Sequence, residues 1–459
     1  MNPAIQLETI VNLCKRRGFI FPGSEIYGGL ANSWDYGPLG VLLKNNVRDV
    51  WWKFFVQSRQ DMVGLDTAIL MNPKVWEASG HVANFTDPLT DCKACKARHR
   101  ADHLIAKAVP GANVEAMSLE EMSAFIVEHE LACPTCGKQE LTSVRRFNLL
   151  FETSLGSVEG QKQNIYLRGE LAQGMFVNFK NVLDTMHMRV PFGIAQVGKV
   201  FRNEITPGNF TYRTLEFDLA EFEYFVRPQD WEQTFESWLV TMQDFALSLG
   251  ISKDSMRVRE HEQAELSHYS KRTVDIEYET PFGWKEMFGL AYRGDYDLKN
   301  HSETTGVDLR VADREGAEKY FPHAIEPTFG ITRLALMLML SAYTEEEVKG
   351  EKRVVMKFKP NIAPYQVAVL PLSKKEELTK ISQPLAQELA KKWSCDYDVT
   401  QSIGKRYRRQ DEIGTPFCVT VDFDSLEDKQ VTVRERDTME QVRVGIDKVV
   451  PYISEKLKA

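Results

Sequence analysis

Two long strand-like runs, PFGIAQVGKVFRNEI (191–205) and YRTLEFDLAEFEYF (212–225), flank a Pro-Gly-Asn turn signal at 207–209. Such a pair folds back on itself as an antiparallel hairpin. Neighbouring segments are also strand-like: FNLLFET (147–153) and NIYLRGEL (164–171). Helical apolar spacing appears at 39–58, 172–183 and 230–249. The run MVGLDTAIL (62–70) predicts a strand ending at Asn72-Pro73, and a Gly-rich strand-to-helix junction spans 325–341. Hairpins mixed with helices, without regular βαβ alternation, predict an α+β fold built on an antiparallel sheet.

The pattern changes near residue 350. YTEEEVKGEKR (343–353) is charged and poor in apolar residues, which suits a linker or a surface crossing. Beyond it QVAVLPL, EELTKISQPLAQELAKKW, CDYDVTQS, IGKRYRRQDEIG and FCVTVDF alternate between strand and helix. KQVTVRER adds a hairpin strand and a final helix closes the chain. We therefore expect one domain over 1–350 and a separate α/β domain over 354–459.

Seven cysteines divide unequally. Cys14, Cys395 and Cys418 are isolated, whereas Cys92, Cys95, Cys133 and Cys136 form two CxxC pairs, the second reading CPTCG. Four thiolates in two such knuckles suit tetrahedral Zn²⁺. A redox role is the weaker reading, because neither pair opens a βαβ unit. The stretch between them, DHLIAKAVPGANVEAMSLEEMSAFIVEHE, is helical with a Pro-Gly break. A metal-stapled insertion over 88–142 is expected, since a piece this size has little core of its own.

In the 459 residues, 43% are apolar and 27% charged, the composition of a soluble globular protein. The most apolar segment, 324–343, contains Glu326 and Arg333, and the N-terminus reads as a helix rather than a signal peptide, so a cytoplasmic protein is expected. A net charge of −8 argues against a general nucleic-acid coat. Nucleic acid would have to be held by local patches such as KACKARHR (93–100) and GKRYRR (404–409). Neither a GxxxxGK[ST] nor a GxGxxG phosphate loop is present. Glu170 stands in the apolar run YLRGELAQGMF (166–176), where it is a surface residue, a partner for Arg168, or a ligand for a cationic group.

The hairpin FRNEITPGNFTYRTLEF (201–217) resembles motif 2 of class II aminoacyl-tRNA synthetases, and its PGNF wording resembles the dimeric glycyl-tRNA synthetase family. GITR (330–333) is similar to motif 3, and the helix and strand before Pro73 to motif 1. WDYGPLG (34–40), VWEASGH (75–81), RADHL (100–104), LSHYS (266–270) and GTPFCVTVDFDS (414–425) extend the likeness from about residue 5 to the C-terminus.

The resemblance implies a ligase that makes glycyl-adenylate from ATP and passes glycine to tRNA(Gly). It implies a class II catalytic sheet, a zinc-knuckle insertion and an anticodon-binding domain. Arg202 would contact the α-phosphate and the glycine carboxylate, with Asn203 beside it. Glu204 would accept from the adenine amino group, and Phe217 would stack on the ring. Tyr212 and Arg213 would line the phosphates. Arg333 would cover the other adenine face, with Gly330, Ile331 and Thr332 at the start of its helix. Glu286, with Met287 next to it, matches the acidic position that holds Mg²⁺; its plainer reading is an exposed strand residue. Glu170, Glu221 and Glu326 would meet the glycine ammonium, with Arg100, Arg202, Phe217, Thr328 and Gly330 around the amino acid. Three such carboxylates repel one another, so at least one should have a raised pKa without ligand.

Departures from the family wording are RGELAQG for RPETAQG and RTLEFDL for RTREFEQ. Gly169, Leu171 and Leu215 therefore replace Pro, Thr and Arg, and Thr328 stands where Ser is common. GKRYRRQDE would supply phosphate contacts to tRNA, RHRADHL would approach its acceptor end, and motif 1 implies a homodimer. Two competitors are an accessory nucleic-acid-binding relative without catalysis and a class II synthetase for another amino acid. Retention of Arg202 and Arg333 weighs against the first. The three glutamates and the WDYGPLG and WEASGH words weigh against the second.

Overall fold

The computed structural model describes residues 6–114, 117–156, 162–314 and 317–457; residues 1–5 of the expected N-terminal helix and 115–116 of the expected insertion lie outside them. Its centre is a seven-stranded sheet formed by β1 (Met62–Gly64), β2 (Phe192–Phe201), β3 (Glu216–Val226), β4 (Met256–Glu260), β5 (Arg272–Thr280), β6 (Gly283–Gly294) and β7 (His323–Gly330). The spatial order is β4-β5-β6-β7-β3-β2-β1, antiparallel throughout except where β1 runs parallel to β2.

Side-chain alternation divides the sheet into two faces. Ala220, Phe222 and Tyr224 of β3 and Ile325 and Phe329 of β7 point toward α1 (Pro38–Trp52), α3 (Trp231–Ser248) and α5 (Ile331–Ala342). Almost every residue of α5 is buried, as expected of a helix apolar all round. Leu219, Phe225 and Ala324 point the other way, toward α2 (Ala172–Met186) and Leu298 of α4 (Tyr296–Thr305). The remaining positions on this second face are polar and form the site described below.

The strand expected over 62–70 is shorter. Only Met62–Gly64 is strand, and Leu70 makes an isolated bridge to Leu167. After Leu65 the chain turns to pack on α2, where Arg168 Nη1 donates to the Thr67 carbonyl at 2.8 Å. The runs at 147–153 and 164–171 also stay out of the central sheet: Glu152–Leu155 pairs with Gln163–Tyr166 as a separate hairpin. The expected linker is likewise a hairpin, Tyr343–Val348 with Glu351–Met356. Most of its charges are solvated, but Arg353 is buried and meets Glu346 at 2.7 Å, as does Lys357.

Between Thr86 and Asn148 lies a three-stranded sheet, with Thr86–Asp91 between Arg98–Arg100 and Arg145–Asn148. Two helices, Ala101–Ala108 and Leu119–Glu128, close a small core that includes Leu104, Ile105, Met122 and Ile126. Beyond the hairpin at 343–356, β8 (Val367–Val369), β9 (Cys395–Tyr397), β10 (Phe417–Thr420), β11 (Gln430–Glu435) and β12 (Gln441–Gly445) form a sheet ordered β9-β8-β10-β11-β12. Its first three strands are parallel, flanked by α6 (Glu376–Ala390) and α7 (Ile403–Ile413). β12 is polar enough that its strand character was not legible. A buried cluster ties this part to the rest: Asp411 Oδ2 lies 2.8 Å from Arg353 Nε and Oδ1 lies 2.9 Å from Arg434 Nη1. No helix among the described residues is long and apolar enough to cross a membrane.

Candidate active site

Along β3 the residues facing α2 run Phe217, Leu219, Glu221, Glu223 and Phe225, alternating with the core face. The register pairs Glu221 with Thr328 and Thr328 with Gly289, so β7 and β6 continue the same surface. Gly289 leaves this floor low: a Cβ there would lie 3.8 Å from Glu286 Oε1 and 3.9 Å from Asp275 Oδ1. One end of the surface opens to a cleft. The other is closed by α2, α4 and the segment around His81.

The closed end is acidic. Glu170, Glu221, Glu223, Glu326 and Asp297 are all buried there around the fully buried Arg293. Arg293 lies 3.0 Å from Glu326, 3.4 Å from Glu170 and 2.8 Å from Asp297, and its guanidinium covers the Tyr269 ring at 3.7 Å. Glu170 Oε1 accepts from Gln173 Nε2 at 3.0 Å, and Oε2 lies 3.1 Å from His81 Nε2. Burial would raise the Glu170 pKa, but His81 and Arg293 outweigh it and hold the carboxyl below its usual range. Glu221 accepts from the Leu171 amide at 2.9 Å and the Thr328 hydroxyl at 3.0 Å. Burial, followed by repulsion from Glu170, raises its pKa. Burial raises Glu326 further, and Arg293 offsets only part of that. The expected raised pKa is present in two of the three glutamates.

Glu170 is therefore neither a surface residue nor a partner of Arg168, which donates to the Thr67 and Lys199 carbonyls at 2.8 and 2.7 Å. Gly169 and Leu171 leave it well held, because its contacts come from side chains of other elements.

The open end is a cleft lined by Arg202, Glu204, Tyr212, Arg213, Phe217, Glu286, Thr328, Gly330, Thr332 and Arg333. The Arg202 guanidinium sits between Phe85 and Phe217, 5.3 and 5.5 Å from the ring centres, and donates to the Gly169 carbonyl. Arg333 covers the Tyr212 ring at 4.4 Å and meets Glu286 at 2.9 Å. Burial opposes ionisation of Glu286, but Arg333 wins and lowers its pKa. Above the cleft a miniature hairpin joins Gly208 to Arg213, with Asn209 and Phe210 left-handed at φ 54° and 59°. Phe210 holds that conformation under the edge of Trp34, ring centres 4.7 Å apart. This contact is what WDYGPLG supplies.

Other expected residues are engaged by the fold itself. Met287 and Ile331 are fully buried on the core face, so only their backbone reaches the cleft. The Thr332 hydroxyl accepts from the Asp218 amide at 2.9 Å, and the Asn203 amide donates to the Leu149 carbonyl at 2.8 Å. Arg100 lies 2.9 Å from Asp87 and forks onto Asp102. Its charge acts on Asp102, Asp87 and Glu204 rather than on the three glutamates.

Cys92, Cys95, Cys133 and Cys136 place their Sγ atoms within 4.8 Å of one another. A tetrahedron of Zn–S bonds of about 2.3 Å has edges a little under 4 Å, so this thiol set fits Zn²⁺. Both knuckles share one backbone pattern: the amides of Lys96 and Gly137 donate to the carbonyls of Cys92 and Cys133 at 2.9 and 2.8 Å, each with positive φ. His99 Nε2 lies 3.2 Å from Cys133 Sγ.

The basic run on α7 is partly consumed. Arg406 is buried and donates to the Pro371, Asp398 and Leu372 carbonyls, and Arg409 binds Asp398 and Thr400. Lys405 is exposed and Arg408 half-buried.

Sequence reasoning missed Arg293, Asp297, Gln173, His81 and Glu223. Arg293, near the end of the apolar strand β6, and Asp297, in the first turn of α4, are four residues apart, a signal that was present. Gln173 and His81 stand in the quoted words RGELAQG and VWEASGH, but their role arises from elements far apart in the chain.

The chain is similar to known proteins along its whole length. Residues 366–456 match the family model described as anticodon binding domain. The chain is 56% identical over 459 residues to a glycine–tRNA ligase of Geobacillus kaustophilus, covering 99% of each. It is 54% identical to one from Bacillus anthracis, covering 98% of this chain and 99% of the relative. It is 53% identical to one from Caldanaerobacter subterraneus subsp. tengcongensis, covering 99% of each. A chain that shares more than half its residues with these proteins end to end, and keeps a cationic cleft and an acidic closed end on one sheet face, belongs to the glycine–tRNA ligase family.

Proposed function

We propose that the chain activates glycine with ATP, forming glycyl-adenylate and diphosphate, and esterifies the glycine to tRNA(Gly). The observation that carries this reading is the joining, on one face of β3, of an arginine-lined cleft at Phe217 to a closed anionic end at Glu221. Adenylate formation is attack of a carboxylate on the α-phosphate, so charge builds on non-bridging oxygens and the site needs fixed cations. Arg202, held between two rings, would meet that phosphate and the glycine carboxylate. Phe217 offers its face to adenine and Glu204 an acceptor for its amino group. Arg213 and Arg333 meet the outer phosphates, with Arg333 leaving Glu286. Glu286 with Asp275 would hold Mg²⁺ beside them, where the ion neutralises phosphate charge. Glu170, Glu221 and Glu326 receive the ammonium, and exclusion of a side chain falls to the covered end. Glycine has no smaller rival, so exclusion alone suffices for selectivity.

The thiols of Cys92, Cys95, Cys133 and Cys136 would hold Zn²⁺ as a structural staple of the insertion at 88–142. The catalytic part spans 1–350 and the tRNA-reading part 354–459. α1, β1 and their neighbours form the twofold interface of a homodimer, and the setting is the cytoplasm, where ATP and tRNA meet. ATP–diphosphate exchange measured across the amino acids tests the reading. Glycine alone should support exchange, and Arg202→Ala should abolish it. Exchange with no amino acid, or with a larger one, overturns the proposal.

A further inference from the structure

Glu223 has no assigned part in the site, yet its position requires a physical account. It is fully buried, and both carboxyl oxygens are without a hydrogen-bond partner among the described residues. Unpartnered buried carboxylates are costly, and a native protein retains one only where something offsets that cost. The register places it: Glu221 pairs with Thr328 and Tyr224 with Ile325, which sets Glu223 opposite Glu326 across β3 and β7. Pro327 lacks an amide hydrogen and interrupts the ladder at that point. Glu223 shares the face of β3 that carries Phe217 and Glu221, one step deeper than Glu221.

The charged groups that act on it come from each element around it: Glu326 on β7, Arg293 on β6, Glu221 on β3 and Asp297 on α4. With Glu170, five buried carboxyl groups share one guanidinium. Charges a few ångströms apart in a medium of low dielectric cannot all be ionised without a further cation. The imidazoles around the cluster serve other groups, His268 Nε2 lying 2.9 Å from the Ser79 carbonyl. His81 faces Glu170 at 3.1 Å and binds the Ser79 hydroxyl through Nδ1 at 2.8 Å, and His301 Nε2 meets the Gln173 amide oxygen at 2.8 Å. The positive charge still missing comes either as a proton or as a ligand ammonium.

We propose that Glu223 is a fourth acidic residue of the amino-acid site, held as the neutral acid without ligand and ionised when the ammonium enters, so that amino-acid binding releases a proton. The inference rests on the reading of the acidic end as the ammonium site. The step is a simple exchange: the O–H bond of the Glu223 carboxylic acid breaks, its proton leaves to solvent, and the ammonium supplies the compensating charge. No bond to the amino acid forms. Burial first, and then repulsion from Glu326, favours the neutral form, which agrees with the geometry. Glu223 acts through Glu326 and Glu221 as a charge-setting and positioning residue.

Glu223→Gln tests it, because the amide keeps the shape of the neutral acid and cannot ionise. In glycine-dependent ATP–diphosphate exchange, the wild-type kcat/KM for glycine should rise with pH. The variant should lose up to one proton's worth of that slope. At pH about 8 its KM for glycine should be about tenfold higher, with KM for ATP unchanged. Calorimetry of the wild-type protein and the variant with glycine in phosphate and in Tris gives a second readout. Heats that differ in proportion to the two buffers' ionisation heats in the wild type, with that difference reduced in Glu223→Gln, support the proposal; equal heats in the wild type, or an undiminished difference in the variant, overturn it. A variant with wild-type glycine KM and an unaltered pH limb also overturns it and leaves Glu223 as packing. Glycine-dependent exchange by the wild-type protein tests the underlying reading separately.

Discussion

Arg293 and Glu326 lie side by side on neighbouring strands, guanidinium to carboxylate at 3.0 Å, both buried. The same guanidinium reaches Glu170 and Asp297, so one cation from β6 organises acidic groups from three other elements. Removing one partner of a buried ionic cluster leaves uncompensated charge, which costs about 3–5 kcal/mol. Arg293→Met should lower stability by about that amount in denaturant titration. It should also abolish exchange with glycine while ATP binding persists. A stable, active variant would show that the cluster does not depend on this cation.

The cysteine knuckles give a prediction about metal. Cys133→Ser should lose bound zinc by elemental analysis and destabilise the insertion. Amide exchange in the helices Ala101–Ala108 and Leu119–Glu128 should rise toward unprotected rates. Exchange with glycine should fall less than tRNA charging, because the catalytic sheet has its own core. Retained zinc at wild-type stoichiometry would argue against the four-thiol site.

Asp87 predicts a pH effect on stability. Burial, offset in part by Arg100, pushes its carboxyl up from 3.8 to about 6. The folded protein then binds this proton more tightly than the unfolded chain. The group therefore favours folding below about pH 4, and that contribution is lost as pH rises through about 6. Asp87→Asn removes the dependence. The stability difference between wild type and variant should move toward wild type by up to about 3 kcal/mol as pH falls from about 7 to about 4. The comparison is made by denaturant titration at each pH, and a constant difference would refute the assignment.

On α7 two neighbouring cations should behave differently. Lys405→Ala should weaken tRNA binding several-fold and reduce its salt slope by about one, because an exposed cation releases a counterion on contact. Arg406→Ala should instead destabilise the C-terminal sheet, since three carbonyls lose their donor, and the melting curve should report it. Equal effects on tRNA affinity, with no change in melting, would contradict the burial of Arg406.

The Trp34–Phe210 contact predicts a role for a residue outside the cleft. Trp34→Ala removes the ring that holds Phe210 left-handed, a contact worth about 1 kcal/mol beyond its area. KM for ATP should rise about fivefold or more, and KM for glycine should change little. An unchanged KM for ATP would show that the loop is ordered without Trp34.

Much of this was legible from the chain. Periodicity located α2, α3, α5 and most strands, because a helix or strand with one buried face writes that face into its sequence. The two CxxC pairs announced a thiol cluster: short spacing brings the two thiols of each pair together, and the small sheet of the insertion brings the pairs to each other. Arg202, Phe217 and Arg333 were found through a hairpin and a junction that are local. The strand expected over 62–70 was read too long, because pairing with β2, far along the chain, decides where it ends; the charged crossing at 343–353 turned out to be a hairpin whose two strands pair with each other.

The sequence by itself determined which face of each element is apolar, where the turns fall and which family the chain joins, since all of these depend on order along the chain. The tertiary structure alone decided what becomes of the charges. Glu170 leaves Arg168 for His81 and Arg293, Arg406 turns inward, and Glu223 faces Glu326 with no partner. The reason is electrostatic: what a buried charge costs depends on its neighbours in space, and around Glu170 and Glu223 the decisive ones come from distant parts of the chain.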